Sequence, residues 1–377
     1  MIYRAIGLMS GSSLDGLDIV FTEIQEMGGK WSYEILEADC YSYSDEWVSR
    51  LKNATKLAAL DYQLLHAEYG NYLGQQVNRF IEEHQLQYKV ALVTSHGHTT
   101  FHIPLKKMTA QLGDGAAIAA MTQLPVVSDL RAIDVAFGGQ GAPIVPIGEK
   151  LLLGDYDYFL NIGGIANISG SSKPLLGGWG FGFDICAANR ILNMLAADAG
   201  KEYDEDGKMA ATGNVIDELL EKLNALSYYQ QDYPKSLAND FGTGIVYPLI
   251  KDSDSNIPDS LRTYTEHIAI QIKKAISSVE SLKPLQSSPS GQTPVFKLLC
   301  TGGGAFNTFL IERLKDHLKE LNIEVIIPDE KLVKYKEALI MALIGVLRWR
   351  EETNVLSSVT GAKRDSVGGA MWMGQEE

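Results

Sequence analysis

Two glycine-rich segments, GLMSGSSLDGLD from Gly7 to Asp18 and LNIGGIANIS from Leu160 to Ser169, each leave a strand-like apolar run. Backbone turned in this way can hold a nucleotide phosphate chain, because consecutive N–H groups converge on anionic oxygens. In the first segment the small hydroxyls of Ser10, Ser12 and Ser13 add to those donors. Apolar residues flank it on both sides, Ile2, Ala5 and Ile6 before and Leu17, Ile19, Val20 and Phe21 after, so it reads as a hairpin bend with no helix behind it. A P-loop and a dinucleotide fingerprint both need the glycines to open a helix, and both are excluded. A third turn, CTGGGAFN from Cys300 to Asn307, brings backbone close to something flat at a helix start. Adenosine is the economical guest, although a tight strand-to-helix turn would be written with the same glycines.

The side chains suited to proton transfer and ligand recognition lie near these turns in the sequence. Asp184, in GFGFDICAAN, has two readings: the cap of a helix that starts at or just after it, or a base placed where glycines let a ligand approach. His96, His98 and His102 fall within SHGHTTFHIP, but HxH at strand spacing without a matching Asp, Glu or Cys is a poor metal signature, and hydrogen bonds to a polar ligand suit it better. Asp114, Asp129, Arg131 and Asp134 cluster before the segment GGQGAPIVP. They read as an ion-paired scaffold in which Arg131 faces a ligand, since a guanidinium matches a carboxylate or crowded sugar oxygens. Lys235 in DYPKSLAND is either a surface turn residue or a ligand contact, and Glu337 in KYKEALIMALIGVLR reads as solvated beside a core stripe.

The elements that must position these groups follow from periodicity. WSYEILEADCYSY supplies a third strand after the first hairpin, and the stretch from Asp45 to Gln85 has helical spacing with Leu60, Leu64, Leu65, Tyr69, Leu73, Val77 and Phe80 on one stripe. YKVALVTSHG, GDGAAIAAMT and LPVVSDLR then read strand, helix, strand, so parallel pairing takes over. GGQGAPIVP, Gly138 to Pro146, marks a crossing between two lobes, an N-terminal one at 1–137 and a C-terminal one at 138–377 whose tail can return to the first. Helices are expected near 213–226, 258–282 and 337–350, with an exposed connection KPLQSSPSGQTP and strands in KLLC and NIEVIIPD. The expected class is α/β, two lobes each built on a mixed sheet flanked by helices, with a cleft between them.

The 377 residues exceed what one core commonly serves. A formal charge of −14 disfavours nucleic acid or an anionic membrane as partner, while still permitting ATP held by backbone amides, local lysines and Mg2+. Cys40, Cys186 and Cys300 are odd in number and form no CxxC pair, which points away from a disulfide framework or zinc site and toward a reducing cytoplasm. The first residues enter a strand pattern without the marks of a signal peptide, and the apolar run Ala338–Leu347 is short for a bilayer span.

Taken in order, these pieces resemble the ATPase fold shared by actin, hexokinase and the Hsp70 chaperones. The chain is similar above all to the anhydro-N-acetylmuramic acid kinases, on GLMSGSSLDGLD, SHGHT, QLGDGAAIA, GGQGAPIVP, LNIGGIANIS, GFD with AN following, KEYDEDGKMAATG, YPKS, CTGGGAFN, KEAL and SSVTGAKRDSVGGAMWMG. The resemblance implies an ATP- and Mg2+-dependent enzyme of peptidoglycan recycling that opens the 1,6-anhydro ring of its sugar with water and phosphorylates O6. It implies Asp184 as the base acting on water. Gly11, Ser12, Ser13, Leu14, Asp15, Gly16, Leu17 and Asp18 become the ATP loop, Gly163 and Gly164 the second phosphate turn, and Gly302, Gly303 and Gly304 the adenosine turn. His98, Arg131 and Asn189 fall on the sugar side. Lobe closure, a cytoplasmic setting and a homodimer are implied as well. Three stretches depart from the family pattern: Ile185, Cys186, Ala187 and Ala188 stand before Asn189 where TGPGN is usual, PKSLAND replaces PKSTGRE, and Gly148 and Glu149 replace Phe-His. All three bear on the sugar side. The alternatives are a kinase of another amino sugar on the same fold and a chaperone-type ATPase.

Overall fold

The computed structural model describes residues 1–11, 14–171, 180–232, 235–237, 239–280 and 295–375. Ser12, Ser13, Pro234 and the connection 283–294 lie outside the described residues. Two compact units share the chain: Met1–Gly154 together with Tyr335–Glu377, and Asp155–Lys334.

In the first unit, β1 (Ile2–Ser10), β2 (Gly16–Met27) and β3 (Lys30–Ser42) form the expected antiparallel meander. β4 (Leu92–Ser95) pairs parallel with β1, a two-stranded ribbon of β5 (His98–Ile103) and β6 (Met108–Leu112) stands apart, and β7 (Val126–Ser128) extends the main sheet parallel to β4. The strand Ala370–Trp372 closes the edge by pairing antiparallel with β7, so the tail does return to this unit. The sheet is therefore mixed. Ile6, Leu8, Leu17, Ile19 and Phe21 pack beneath the helix Ala59–Glu83, whose Leu65, Tyr69, Leu73, Val77 and Phe80 form the buried stripe. Each such side chain contributes about 1.5–3 kcal/mol on leaving water. Leu60 and Leu64, expected on that stripe, are 70% and 52% exposed, because they fall off the face that carries Leu65, Tyr69, Leu73 and Val77.

The division between units follows Gly154, whereas the sequence places it at 137/138. Packing explains the difference. The helix Pro146–Leu152 is held in the first unit by Gly148, where a Cβ would lie 2.4 Å from Ile340, and by an ion pair from Glu149 to Lys336 at 3.0 Å with side chains 1% and 5% exposed. Gly148 and Glu149 thus both fit the helix Glu330–Trp349, which carries the chain back from the second unit.

The second unit repeats the theme with a five-stranded mixed sheet. β8 (Tyr158–Ile162) and β9 (Ile165–Gly170) make a hairpin around Gly163 and Gly164, β10 (Phe181–Ala187) pairs antiparallel with β9, and β11 (Phe296–Thr301) lies parallel to both β8 and β12 (Ile323–Ile326). The long helix Ile257–Glu280 covers one face, where Leu261, Tyr264, Ile268 and Ile272 meet the interior-facing residues of the sheet. Two mixed sheets flanked by helices, one per unit, agree with the α/β class expected. Among the described residues no helix is long and apolar enough to cross a membrane.

Candidate functional site

Asp184 lies inside β10, opposite Asn167 of β9, and is not a helix cap. Strand pairing continues to Ala187, and the helix Asn189–Ala197 begins beyond it with Ala188 at the N-cap and no side-chain cap. A bulge between Asp184 and Cys186 interrupts the ladder, a device that re-aims side chains in many sites. Oδ2 accepts hydrogen bonds from the Ser236 hydroxyl at 3.0 Å and from the Leu237 backbone N–H at 2.9 Å. The backbone is fixed too: Asp184 N–H donates to the Lys235 carbonyl at 3.2 Å, and the Tyr228 hydroxyl donates to the Asp184 carbonyl at 2.7 Å. Among the described residues no hydrogen bond reaches Oδ1. Burial raises the carboxyl pKa, and the Leu237 and Ser236 hydrogen bonds pull it back down. Among the described residues the carboxylate is therefore anchored through one oxygen alone.

Lys235 points away from Asp184. Its ammonium donates to the carbonyls of Gln231 and Tyr228 at 3.1 and 3.4 Å, lies 4.8 Å above the Tyr228 ring, and is pushed down in pKa by burial. It borders a cavity of about 210 Å3 with Phe183 and Ile185, the neighbours of Asp184 on β10.

The glycine turns of this unit separate into two kinds. A Cβ at Gly163 or Gly164 would meet nothing nearer than 3.6 or 3.8 Å, and neither has a left-handed backbone, so the fold does not demand glycine there. Their carbonyls accept from the Asn189 and Ala188 N–H groups at 3.0 and 2.8 Å, which ties the turn to the helix start. Gly302 and Gly304 are demanded by packing: a Cβ would lie 2.4 Å from the Asn161 side chain and 2.3 Å from Ile162 respectively. Gly303 has room and borders a cavity of about 480 Å3 with Asn189, Tyr203, Phe306 and Lys334, a size within the range of small-molecule sites. Asn189 donates through Nδ2 to the Ile162 carbonyl at 3.0 Å, so it stands between the two turns and at the cavity beside Gly303.

In the first unit the loop after β1 is partly described. Leu14 has φ 58° and donates to the Gly11 carbonyl at 3.4 Å, and Asp15 Oδ1 accepts the Gly16 N–H at 3.0 Å. Leu17 is a core residue, which leaves only its backbone for a ligand. Asp18, beside Cys40 of β3, is raised to about 7 by burial and by the charges of Asp15 and Glu337, against a lowering hydrogen bond from Cys40. Cys40 is pushed up to about 12 by burial and the neighbouring Asp18.

Arg131 is committed inward. Its Nε donates to His96 Nε2 at 2.9 Å and its Nη1 to the Gly141 carbonyl at 2.7 Å, while His96 Nδ1 bonds the Gly97 carbonyl at 2.9 Å. Both ring nitrogens of His96 are thereby taken, and burial together with the Arg131 charge drives its pKa to about 3. Buried Asp134 accepts from the Gly141 N–H and the Thr360 hydroxyl at 2.7 Å each, pinning the GGQGAP segment. Glu337, expected in solvent, is largely withdrawn from it: burial raises its pKa, and the charges of Lys336 and Arg131 lower it. Sequence reasoning misses Ser236 and Leu237 as the supports of Asp184, and His96 as the partner of Arg131. The YPKS motif is the available signal for Ser236, with Leu237 directly after it, although its lysine is the more conspicuous member.

Comparison with known proteins adds a second line. The family described as anhydro-N-acetylmuramic acid kinase matches residues 3–374. An anhydro-N-acetylmuramic acid kinase of Sulfurovum sp. (strain NBC37-1) is 33% identical over 385 residues, spanning 98% of this chain and 99% of that one. Its counterpart in Francisella tularensis subsp. novicida (strain U112) is 32% identical over 375 residues, with 95% of each chain covered. Among solved structures, the activator of the 2-hydroxyisocaproyl-CoA dehydratase from Clostridium difficile with bound ADPNP aligns at TM-score 0.42 and 16% identity, covering 92% of this chain and 96% of that one.

Proposed function

Because this chain belongs to the anhydro-N-acetylmuramic acid kinase family, we propose that it opens 1,6-anhydro-N-acetylmuramic acid with water and transfers the γ-phosphoryl group of ATP to O6, with Asp184 as the base. Asp184 Oδ1 takes a proton from water as the water oxygen bonds to the anomeric carbon. The C1–O6 bond breaks, and O6 bonds to the γ-phosphorus as ADP leaves. The products are N-acetylmuramic acid 6-phosphate and ADP. The observation that carries this reading is the one-sided anchoring of the carboxylate: Ser236 and Leu237 hold Oδ2, which fixes the orientation of Oδ1 without occupying it. Burial raises its basicity, as a general base near neutrality requires.

Gly11 through Asp18 are assigned to the phosphates, with Gly163 and Gly164 as the second phosphate turn. Bare backbone at the latter pair, where the fold has no need of glycine, supports that role. The cavity at Gly303 is assigned to adenosine and includes Asn189, which moves that residue from the sugar side to the nucleotide side of the reading. His98 and Arg131 remain on the sugar side. Mg2+ neutralises charge on transferring phosphates. Among the described residues no group of three or more His, Cys, Asp or Glu side chains is placed to hold a metal ion, so the nucleotide phosphates would supply most of its ligands. ATP supply sets the reaction in the cytoplasm, and a homodimer is the assembly the family resemblance implies.

The deciding experiment supplies ATP and the anhydro sugar in water enriched in heavy oxygen. Label at the anomeric carbon of the 6-phosphate product is expected; a phosphorylated product without label overturns the hydrolytic step and leaves an ordinary amino-sugar kinase.

A further inference from the structure

The C-terminal motif SSVTGAKRDSVGG folds back within the first unit onto the segment that follows Arg131. Its short helix Ser357–Thr360 ends there, and Thr360, 1% exposed, holds that segment through two atoms. The Thr360 carbonyl accepts the Gln140 N–H at 2.8 Å, and the Thr360 hydroxyl lies 2.7 Å from Oδ1 of wholly buried Asp134. The other carboxyl oxygen, Oδ2, accepts the Gly141 N–H at 2.7 Å, while the carbonyl of the same Gly141 accepts from Arg131 Nη1 at 2.7 Å. One residue thus joins the carboxylate to the guanidinium. The wrapping is close, because a Cβ at Gly139 would lie 2.2 Å from Asp134 Oδ2.

The Thr360 hydroxyl has two acceptors in reach, Asp134 Oδ1 at 2.7 Å and the Leu356 carbonyl at 3.4 Å, and the Ala362 N–H approaches its oxygen at 3.4 Å. A carboxylate oxygen only accepts, and bonds to it are the shorter and stronger ones, so the proton goes to Asp134. Among the described residues no other donor reaches Oδ1. The tail itself does not depend on this bond. Asn354 anchors it separately, donating to the Ile344 and Gly368 carbonyls at 3.1 and 2.9 Å and accepting the Gly368 N–H at 2.6 Å.

Arg131 uses Nε for His96 and Nη1 for Gly141, and among the described residues Nη2 has no hydrogen bond. Burial lowers its pKa to about 10, against the charges of Glu337 and Asp134, so it remains a cation at pH 7. A guanidinium recognises oxygen through a flat, rigid fork, and a small tilt of that plane spoils the match.

The geometry points to Thr360 as a positioning residue: its hydroxyl fixes Asp134, which acts through Gly141 to set the guanidinium plane of Arg131, leaving Nη2 for an acceptor oxygen of the sugar. The last step rests on the sugar-side placement of Arg131.

Nitrogen-15 NMR of the Arg131 Nε–H group in the full chain reads the guanidinium without sugar or turnover. In the wild type a slowly exchanging signal is expected, and one that exchanges freely with water overturns the proposal whatever any variant does. Thr360→Val keeps the branched shape and deletes the donor, so the signal should shift and exchange faster. In kinetics that variant should raise KM for the anhydro sugar about tenfold, the scale of a hydrogen bond to a charged group, with kcat and KM for ATP little changed. Thr360→Ser retains the hydroxyl and should restore both readouts. Asp365→Ala loosens the same short helix without touching Asp134, since Asp365 Oδ1 accepts the Ser357 N–H and hydroxyl at 2.8 and 2.6 Å, and should leave both near wild type. An unmoved signal in folded Thr360→Val, a serine variant as impaired as the valine one, or an equal rise in sugar KM with Asp365→Ala overturns the positioning role. A moved signal with unmoved sugar KM overturns the sugar-side placement of Arg131 and leaves the positioning of its guanidinium standing.

Discussion

The hydroxyl of Ser236 donates to Oδ2 of Asp184 across 3.0 Å, joining two residues 52 positions apart in the chain. Together with the Leu237 N–H it makes the carboxylate asymmetric: both bonds fall on Oδ2, and among the described residues none falls on Oδ1.

Asp184→Asn keeps that shape and loses the basicity. The amide oxygen will satisfy Ser236 and Leu237, which turns the NH2 group toward the position of Oδ1, a donor where an acceptor is needed. Turnover should fall by at least ~10²–10⁴-fold, the usual contribution of a general base. Unfolding temperature and nucleotide affinity by calorimetry should stay near wild type. Rates close to wild type would remove Asp184 from the reaction.

Ser236→Ala tests the tuning. Burial raises the Asp184 pKa and the Ser236 bond lowers it, so deleting the hydroxyl raises it further. A base works only when ionised, and the acidic limb of the kcat profile should move to higher pH. At the foot of that limb the loss should be about tenfold, the scale of a hydrogen bond to a charged group. A limb that stays in place would mean that Asp184 does not govern it.

Alanine at the glycine turns should divide function from folding. Gly163→Ala has space for the methyl group and should cost little stability while weakening ATP binding. Gly304→Ala drives a Cβ to 2.3 Å from Ile162 and should destabilise the unit by about 1–3 kcal/mol. Denaturant unfolding paired with nucleotide titration distinguishes the two, and equal behaviour would sink the division.

The buried pair of Glu149 and Lys336 predicts a non-additive cycle. Lys336→Met alone removes the ammonium beside a buried carboxylate and should cost about 3–5 kcal/mol, whereas adding Glu149→Leu should recover most of it. Additive losses in urea unfolding would show that the two charges do not depend on each other.

Stability should also fall in mild acid. His96 and His267 are both buried, with folded pKa values of about 3 against an ordinary 6.5. The unfolded chain binds protons first, so their contribution is complete above about pH 6.5 and declines as pH drops from there toward 3. Each can add a slope of up to ~1.4 kcal/mol per pH unit within that window. His267→Gln should flatten the dependence measured by urea unfolding between pH 5 and 6.5, and an unchanged slope would mean that this imidazole is already charged in the folded protein.

Much of the fold is legible in the sequence, for reasons tied to individual residues. The β1–β2 hairpin, the β8–β9 turn and the strand before Gly302 can be read because alternating apolar residues end at glycines. Asp184 stands out through its glycine-aromatic approach, but its partners do not, since Ser236 and Leu237 reach it only through the folding of the whole second unit. The helix start expected at Asp184 fails because β9 pairing extends β10 to Ala187, and no local propensity reports a cross-strand partner. Glu337 reads as solvated from a helix of polar and apolar turns, yet in the folded unit it is half-buried within range of the Arg131 charge, which comes from a distant stretch of the chain. Spacing along a helix reports only neighbours one turn away.

The strand Ala370–Trp372 seals the open edge of β7, and Gly115 is needed because the Trp372 indole lies against it. On the ribosome, then, the unit begun first is completed last: its sheet waits with a bare flank while residues 155–334 emerge and settle as an insertion. Without Ala370–Trp372 that flank would be exposed to any passing strand, so a loss late in the sequence threatens the oldest part of the fold rather than the newest.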